Sequence, residues 1–323
     1  MPYHKELELF ANRRPTVVER VPELAPRKHF TRGEVFGNPE LPTSITVVTV
    51  GGKSYTGKTG FAESFGKKMR LKQNRIFLVG KFMREAKQAG QIAQGTMPED
   101  RELDKASDAL QSDIAHEATT QNPALLESRL AAPLAKDLNE KYPELGINSV
   151  SILLLATEET RKQRALQRTT RDINRNITRI TKELHELEKE GADRVLINGA
   201  TLRIDAQHQA LADLDIDELW TEELRRERED EEEYRGLYPW LGKYQQGYME
   251  PGLTDETGKT VYDIIFDTSG YTPEQVHDMI CEEIIKFRQE REDIETIVHA
   301  LDKPEETVVF EESARTQSNQ NLI

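Results

Sequence analysis

Residues 45–60 read ITVVTVGGKSYTGKTG, and the fold prediction starts from this stretch. The first six residues are β-branched and mostly apolar, which is typical of a buried parallel strand. From Gly52 to Thr59 the spacing is G-x-x-x-x-G-K-T, the pattern of a phosphate-binding P-loop that joins a strand to a helix. We therefore predict that the chain binds a nucleotide phosphate here.

Each fixed residue of this pattern has a physical role. Gly52 and Gly57 allow backbone geometry that a Cβ would block, so that successive N–H groups can surround phosphate oxygens. Lys58 supplies a cation for the β and γ phosphates, and the Thr59 hydroxyl suits Mg²⁺. The predicted cofactors are ATP, as co-substrate, and Mg²⁺. The residues predicted to hold them are Gly52, Lys53, Ser54, Tyr55, Thr56, Gly57, Lys58, Thr59 and Gly60.

Composition narrows the class of protein. The chain has 323 residues and a net charge of −14, so we expect a soluble, acidic protein without a nucleic acid polymer as partner. Cys281 is the only cysteine, which excludes an intrachain disulfide. No apolar run approaches the ~20 residues of a membrane span, and the first residues lack the apolar core of a secretion signal. We expect no membrane partner and a cytoplasmic location.

Strand and helix patterns alternate after the P-loop. Further strands are predicted near 75–79, 125–127, 150–156 and 262–268, each followed by a helical pattern. Such alternation favours an α/β fold with a three-layer P-loop core, a five-stranded parallel sheet and helices on both faces.

The predicted organisation has five parts. They are an N-terminal extension (1–43), a core with a substrate region at about 80–122 (44–165), a helical arm (166–234), the last strand and C-terminal helix (235–290), and an acidic, disordered tail (291–323).

The arm is a long insertion between the fourth and fifth predicted strands. Its apolar seam is formed by Leu166, Ile173, Ile177, Ile180, Leu184 and Leu187. Asn198-Gly199 within 195–204 predicts a two-residue β-hairpin at the tip, because this pair supplies the positive φ angles of a type I′ turn. The seam is explained either by helices of the arm packing on each other or by a surface for self-association or a protein partner.

Arginines near strand ends are candidates for chemistry. Arg84 and Arg129 follow the second and third strands, while Arg161, Arg164 and Arg168 share one helix face after the fourth. Phosphoryl transfer requires such positive charge, since negative charge spreads over the moving group. Surface salt bridges are the alternative explanation for any one of these arginines.

Over residues 44–170 and 222–286 the chain resembles the cytidylate kinase-like nucleoside monophosphate kinases. The resemblance rests on the P-loop and on four further blocks in the family's order. These blocks are KFMREA at 81–86 with Gly90, the acidic helix at 99–111, LESRLA at 126–131, and LATEETRKQR at 155–164 with Arg168. The segment from Tyr262 to Ser269 completes it.

The resemblance implies site roles for particular residues. Arg84 and Arg129 match positions that hold the acceptor phosphate, and Asp104, Asp108 and Gln111 match the region facing the base. Arg161, Arg164 and Arg168 match arginines at the root of the LID, where they contact the ATP phosphates. The arm would then be an enlarged LID insertion. The catalytic residues implied are Lys58, Arg84, Arg129, Arg164 and Arg168.

The family's LID also carries an Arg-acid-Arg series. Arg228, Glu232 and Arg235 fit this series and would contact substrate. A register two residues earlier would use Arg226 and Asp230, but it places an acid, Glu233, where the family has an arginine. We prefer the later register.

The chain departs from the family's pattern in three ways. Ser128 replaces the usual glycine before the phosphate-binding arginine, Ala109 and Leu110 replace basic residues near the base, and the LID is enlarged. The last two bear on the preference for cytosine more than on phosphoryl transfer.

Three functional hypotheses follow. The first is transfer of the ATP γ-phosphoryl group to a nucleoside monophosphate substrate, CMP or dCMP. The second is a P-loop kinase for another small acceptor. The third is a nucleotide-dependent interaction protein that uses the arm.

Overall fold

A computed structural model of the protein describes residues 16–18, 30–37, 44–94, 100–238 and 261–302. Within these residues one sheet contains β1 (Thr16–Val18), β2 (Val47–Gly51), β3 (Ile76–Leu78), β4 (Ala124–Glu127), β5 (Ser149–Leu155) and β6 (Ile264–Asp267). The strand order is β1-β6-β5-β2-β4-β3, and every pairing is parallel. The five predicted strands are confirmed.

The sixth strand, β1, lies in the predicted N-terminal extension. Thr16–Val18 pairs with β6 at the edge of the sheet. The prediction that the core begins at residue 44 is therefore wrong for these three residues. It also fails at Val35 and Phe36, which are buried in the core.

Successive side chains of each strand point to opposite faces of the sheet, so the core is divided between the two faces. Val48 and Val50 of β2 face one side and pack with Phe61 and Phe65. Val47 faces the other side and packs with Leu126 of β4. This is the pattern expected of strands buried on both faces, and it confirms the three-layer α/β class.

The helices described are α1 (Arg32–Phe36), α2 (Lys58–Lys68), α3 (Val79–Gln94), α4 (Asp100–His116), α5 (Ala131–Lys141), α6 (Glu158–Lys189), α7 (Arg194–Ala212), α8 (Ile216–Leu237) and α9 (Pro273–Asp302). α1, α2 and α9 cover one face of the sheet, and α4 and α5 cover the other. α6, α7 and α8 form the arm. In the described part of the chain, no helix has the length and apolarity to cross a bilayer.

The predicted hairpin tip is wrong. Residues 195–204 lie within α7, which begins after Asp193, whose carboxylate accepts a hydrogen bond from the Val195 N–H group at 2.9 Å. Gly199 does not adopt a positive φ. α7 packs along α6, where Ala200 and Ile180 are buried. Packing against a neighbouring helix has overridden the local turn preference of Asn-Gly.

The boundary of the predicted tail is also wrong. Helix α9 continues without a break from Pro273 to Asp302, so residues 291–302 are helical. The remainder of the predicted tail, 303–323, lies outside the described residues.

Candidate functional site

The P-loop connects β2 to α2 at the carboxyl edge of the sheet. Gly52 has a φ of 136°, and a Cβ on it would lie 2.3 Å from the Leu154 carbonyl oxygen. Gly57 has a φ of 95° and directly precedes α2. Both glycines are therefore required by the geometry of the loop. Thr56 stabilises the turn by donating its hydroxyl to the Lys53 carbonyl oxygen at 3.0 Å.

Lys58 folds back over this loop. Its ammonium group donates to the Lys53 carbonyl oxygen at 2.7 Å. Burial lowers the pKa of Lys58 to about 8, although the charges of Glu127 and Glu227 act in the opposite direction. The amine is thus protonated at neutral pH and poised for an anion.

Glu127, at the end of β4, is a residue that the sequence prediction missed. Its side chain is 2 % exposed. Burial raises the pKa of Glu127, while the charges of Lys58, Arg84 and Arg129 act in the opposite direction. An acid at the end of the strand beside the P-loop strand was the signal that could have identified it.

The oxygens of Thr59 and Glu127 fit a magnesium ion. Thr59 Oγ1 lies 3.5 Å from Glu127 Oε2, and Mg²⁺ prefers oxygen ligands, several of them from water or phosphate. No group of three or more His, Cys, Asp or Glu side chains in the described ranges could hold a metal by itself. A magnesium ion here would thus need nucleotide and water as further ligands.

Arg129 and Arg84 lie at the same edge of the sheet as the P-loop. Arg129 follows β4 and donates to the Ser54 hydroxyl at 3.2 Å, and it forms an ion pair with Asp230. Arg84 lies on α3 with an exposed side chain, and its charge acts on Glu127. Arg84 and Arg129, which the resemblance assigns to one phosphate, therefore both act on the charge of Glu127.

The arginines at the start of α6 contact the P-loop. Arg164 donates to the Tyr55 carbonyl oxygen at 3.3 Å and to the Thr268 hydroxyl at 2.8 Å. Arg168 lies 6.0 Å above the Tyr55 ring and is otherwise exposed.

Arg161 is buried and has no free face toward solvent. Its Nε donates to the Ser54 carbonyl oxygen at 2.8 Å, and Nη2 donates to Glu227 at 2.5 Å. The guanidinium lies 4.9 Å from the centre of the Trp220 ring. Arg161 thus connects α6, the P-loop and α8.

The preferred register of the LID series is not the one that reaches the site. Arg228, Glu232 and Arg235 are exposed on α8; Arg228 bonds to the Leu224 carbonyl oxygen and Arg235 to Glu231 of the same helix. The earlier register is the one that faces the P-loop. Arg226 donates to the Ser54 hydroxyl at 3.4 Å, and Asp230 pairs with Arg129. Helical phase decides this outcome, because a shift of two residues turns a side chain by about 200°.

Asp104, Asp108 and Gln111 form a cluster on α4 next to the phosphate region. Burial raises the pKa of both aspartates to about 6. The buried Gln111 donates to Asp108 at 3.0 Å and accepts from the Ser128 hydroxyl at 2.6 Å. Ser128, one of the departures from the family pattern, therefore links this cluster to Arg129.

Tyr234 of α8 and Tyr238, the residue that follows α8, lie next to the acidic cluster. The Tyr234 hydroxyl donates to Asp104 at 3.4 Å, and Tyr238 lowers the pKa of Asp108. The sequence prediction missed both tyrosines, as well as Glu227. Their positions are set by tertiary packing, and no local motif marks them.

Comparisons with known proteins add little. The chain matches no protein-family model and no curated protein. A solved structure, described as an uncharacterized protein from Eubacterium ventriosum ATCC 27560, is similar over 74 % of this chain and 97 % of that one, with 13 % identity and a TM-score of 0.39.

Proposed function

We propose that the protein is an ATP-dependent nucleoside monophosphate kinase that transfers the γ-phosphoryl group of ATP to CMP or dCMP. The observation that carries this proposal is that Lys58 and Arg129 both bond to the P-loop, at the Lys53 carbonyl oxygen and the Ser54 hydroxyl, while Arg84 joins them in lowering the pKa of the adjacent Glu127. These cations come from three different elements. A single nucleotide phosphate would need only the first, whereas a second phosphate facing the γ position would use the two arginines.

In the proposed reaction the chain positions and neutralises the reactants. The loop amides and Lys58 would bind the ATP phosphates, and Arg84 and Arg129 would hold the acceptor phosphate in line. An acceptor oxygen would attack the γ phosphorus, forming a new O–P bond as the bond to the β-bridging oxygen breaks and ADP leaves. Mg²⁺, when bound, would neutralise charge on the β and γ phosphates, with Thr59 and Glu127 on its side of the site.

The acidic cluster would face the base of the acceptor. Asp104 and Asp108 carry carboxylates that can accept hydrogen bonds from an exocyclic amine such as the cytosine N4 group. With pKa values of about 6, both are ionised at neutral pH. Gln111 offers an amide group beside them. This arrangement supports an amino-bearing base over uracil.

The test is a coupled ADP-release assay with CMP, dCMP, UMP, AMP and small alcohols as acceptors. We expect turnover with CMP or dCMP, loss of at least about 100-fold in Lys58→Ala, and a raised KM for the acceptor in Arg129→Ala. Arg175→Ala, an exposed arginine on α6, is the matched control. Absence of acceptor-dependent turnover with every monophosphate would refute the proposal, and turnover with an alcohol alone would favour the second hypothesis.

The third hypothesis, a nucleotide-dependent interaction protein, also has support in the structure. Its specific support is that α8 contacts the P-loop through Glu227 while Val195, Leu196 and Leu202 of α7 are exposed. ATP binding without acceptor turnover, together with loss of association when residues 173–221 are deleted from a core that remains folded, would favour this candidate.

A further inference from the structure

One face of α8 contacts the P-loop, Arg129 and the acidic cluster of the proposed substrate site. Glu227, Asp230 and Tyr234 are spaced by three and four residues, so they share this face. From Glu227 to Tyr234 the helix advances about 10 Å. The face therefore extends far enough to contact phosphate-binding and base-binding groups at the same time.

Glu227 accepts hydrogen bonds from groups that would suit an ATP phosphate. Its carboxylate oxygen accepts from the Ser54 backbone N–H group at 2.8 Å and from Arg161 at 2.5 Å. Ser54 lies inside the P-loop, where backbone N–H groups surround phosphate oxygens. A carboxylate here presents negative charge and oxygen acceptors to these donors, as a phosphate would.

Asp230 neutralises Arg129, the arginine that we propose to hold the acceptor phosphate. The two side chains form an ion pair, and Arg129 also contacts the Ser54 hydroxyl. The Asp230 carboxylate thus lies on the acceptor side of the P-loop, one helical turn from Glu227.

Tyr234 and Tyr238 lie against the acidic cluster of Asp104, Asp108 and Gln111. Their rings lie 6.4 Å apart, the Tyr234 hydroxyl donates to Asp104, and Tyr238 lowers the pKa of Asp108. An aromatic ring with a hydrogen-bonding group is the chemistry that a nucleobase would present to these carboxylates.

We propose that α8 is an internal pseudosubstrate: its carboxylates take the place of the nucleotide phosphates, and Tyr234 with the adjoining Tyr238 takes the place of the base. Because one N–H group cannot donate fully to two anions, and because like charges repel, α8 must leave before ATP and the acceptor can bind together. The inference rests on the proposed function for the identity of the ligands that α8 imitates. It assigns the arm a regulatory role, since any partner that pulls α8 away would activate the site.

An internal competitor lowers apparent affinity. If only a small fraction of molecules has α8 displaced, the apparent Kd equals the intrinsic Kd divided by that fraction. Weakening the contact should therefore tighten nucleotide binding, by about tenfold or more where the open fraction starts below roughly 10 %.

The first test compares ADP and inorganic tripolyphosphate binding by calorimetry at fixed salt in the wild-type protein and in the double variant Glu227→Gln/Asp230→Asn. We expect binding of both ligands to be at least about tenfold tighter in the variant. The control is Glu222→Gln/Glu229→Gln, which removes two charges from the exposed face of the same helix, where both acids pair with Arg225. Binding that is unchanged or weaker in the first variant, or that tightens equally in the control, would overturn the inference.

Since Glu227 is buried, circular dichroism must show that the double variant folds. If it does not fold, the single variant Asp230→Asn is used to test the inference. The Asp230 side chain is 30 % exposed and therefore tolerates the change more readily. Tighter CMP binding is then expected, and unchanged or weaker binding overturns the inference.

The outcomes separate this inference from the proposed function. Tighter nucleotide binding in the variant, with no turnover on any acceptor by either the wild-type protein or the variant, would support the pseudosubstrate and refute the kinase. Turnover in the wild-type protein with no gain of affinity in the variant would do the reverse.

Discussion

The ammonium group of Lys58 is held between burial, which disfavours its charge, and two nearby carboxylates, which favour it. The result is a pKa of about 8 in the unliganded protein. A bound polyphosphate would add negative charge and raise this pKa, so binding takes up a proton once the pH exceeds about 8. ADP affinity should then fall as the pH rises from 8 to 9.5, by up to about tenfold per pH unit.

Titration calorimetry at several pH values checks this, with Lys58→Arg as the control. Arginine stays protonated over the whole range, so the slope should flatten in this variant even if affinity changes. An equal slope in both proteins would show that Lys58 is not the titrating group.

Gly52 has a steric role as well as a binding role. A Cβ at this position would lie 2.3 Å from a backbone oxygen of β5, and the residue's φ of 136° is strained for any L side chain. Gly52→Ala should lower the free energy of unfolding by about 2 kcal/mol or more. The measurement is urea denaturation, with Gly60→Ala as the control.

Gly60 lies in α2, and no atom lies within 4 Å of the position that a Cβ would take there. Its replacement should leave stability equal or raise it by up to about 1 kcal/mol. An equal loss in both variants would mean that the close approach to β5 does not limit residue 52.

Among single residues, the sequence identifies those whose position follows from a motif or from the end of a predicted strand. The positions of the P-loop residues and of the arginines after strands were predictable, because they depend on where a strand ends. Asp230 was named only in the register that we did not prefer. Glu227 was not predicted at all, since an acid within the run 227–233 on a helix is ordinarily a solvated surface residue. Only the packing of α8 against the P-loop distinguishes Glu227 from Glu229.

At the scale of secondary-structure elements, a substitution in α7 can test whether residues 195–204 form a helix or the predicted hairpin. In a type I′ turn Gly199 would need a positive φ, whereas in α7 it is an exposed helical residue with open space at the Cβ position. Gly199→Ala should therefore raise the free energy of unfolding of the arm by about 0.5–1 kcal/mol.

Circular dichroism of thermal unfolding measures this change, and hydrogen exchange over 194–212 localises it. Asn198→Ala serves as a companion variant, since alanine also has the higher helix propensity at that position. Destabilisation by Gly199→Ala would instead support the hairpin.

Strands were more predictable than the elements of the arm for a physical reason. Val47, Val48 and Val50 are buried on both faces of a sheet, so burial and β propensity favour the same structure. In 195–204 the alternation of apolar residues and the Asn-Gly pair favour a hairpin, yet the helix N-cap at Asp193 and packing on α6 decide the outcome. Local and tertiary preferences conflict there.

At the scale of the whole molecule, we expect the distal part of the arm, residues 175–212, to be dispensable for folding of the core. α7 packs along α6, while the contacts of α8 with the P-loop lie further along the chain, beyond Asp217. Near the root of the arm, the Trp220 Nε1–H group donates to Glu158 at 2.8 Å. The distal part therefore extends the arm without supporting the P-loop.

Removing residues 175–212 and joining the ends with a short glycine linker should leave the core folded. We expect a single unfolding transition with a free energy of unfolding within about 1 kcal/mol of the wild-type value and an ADP affinity within about threefold, because α8 keeps its contacts with Ser54 and Arg129.

Chemical denaturation measures the stability and calorimetry the affinity. Trp220→Ala in the full chain is the contrasting variant, since it removes the ring that covers Arg161. Loss of the core transition on truncation would show that α7 supports the sheet. A large gain in ADP affinity would show instead that the distal arm holds α8 in place, which would extend the regulatory surface to the apolar residues exposed on α7.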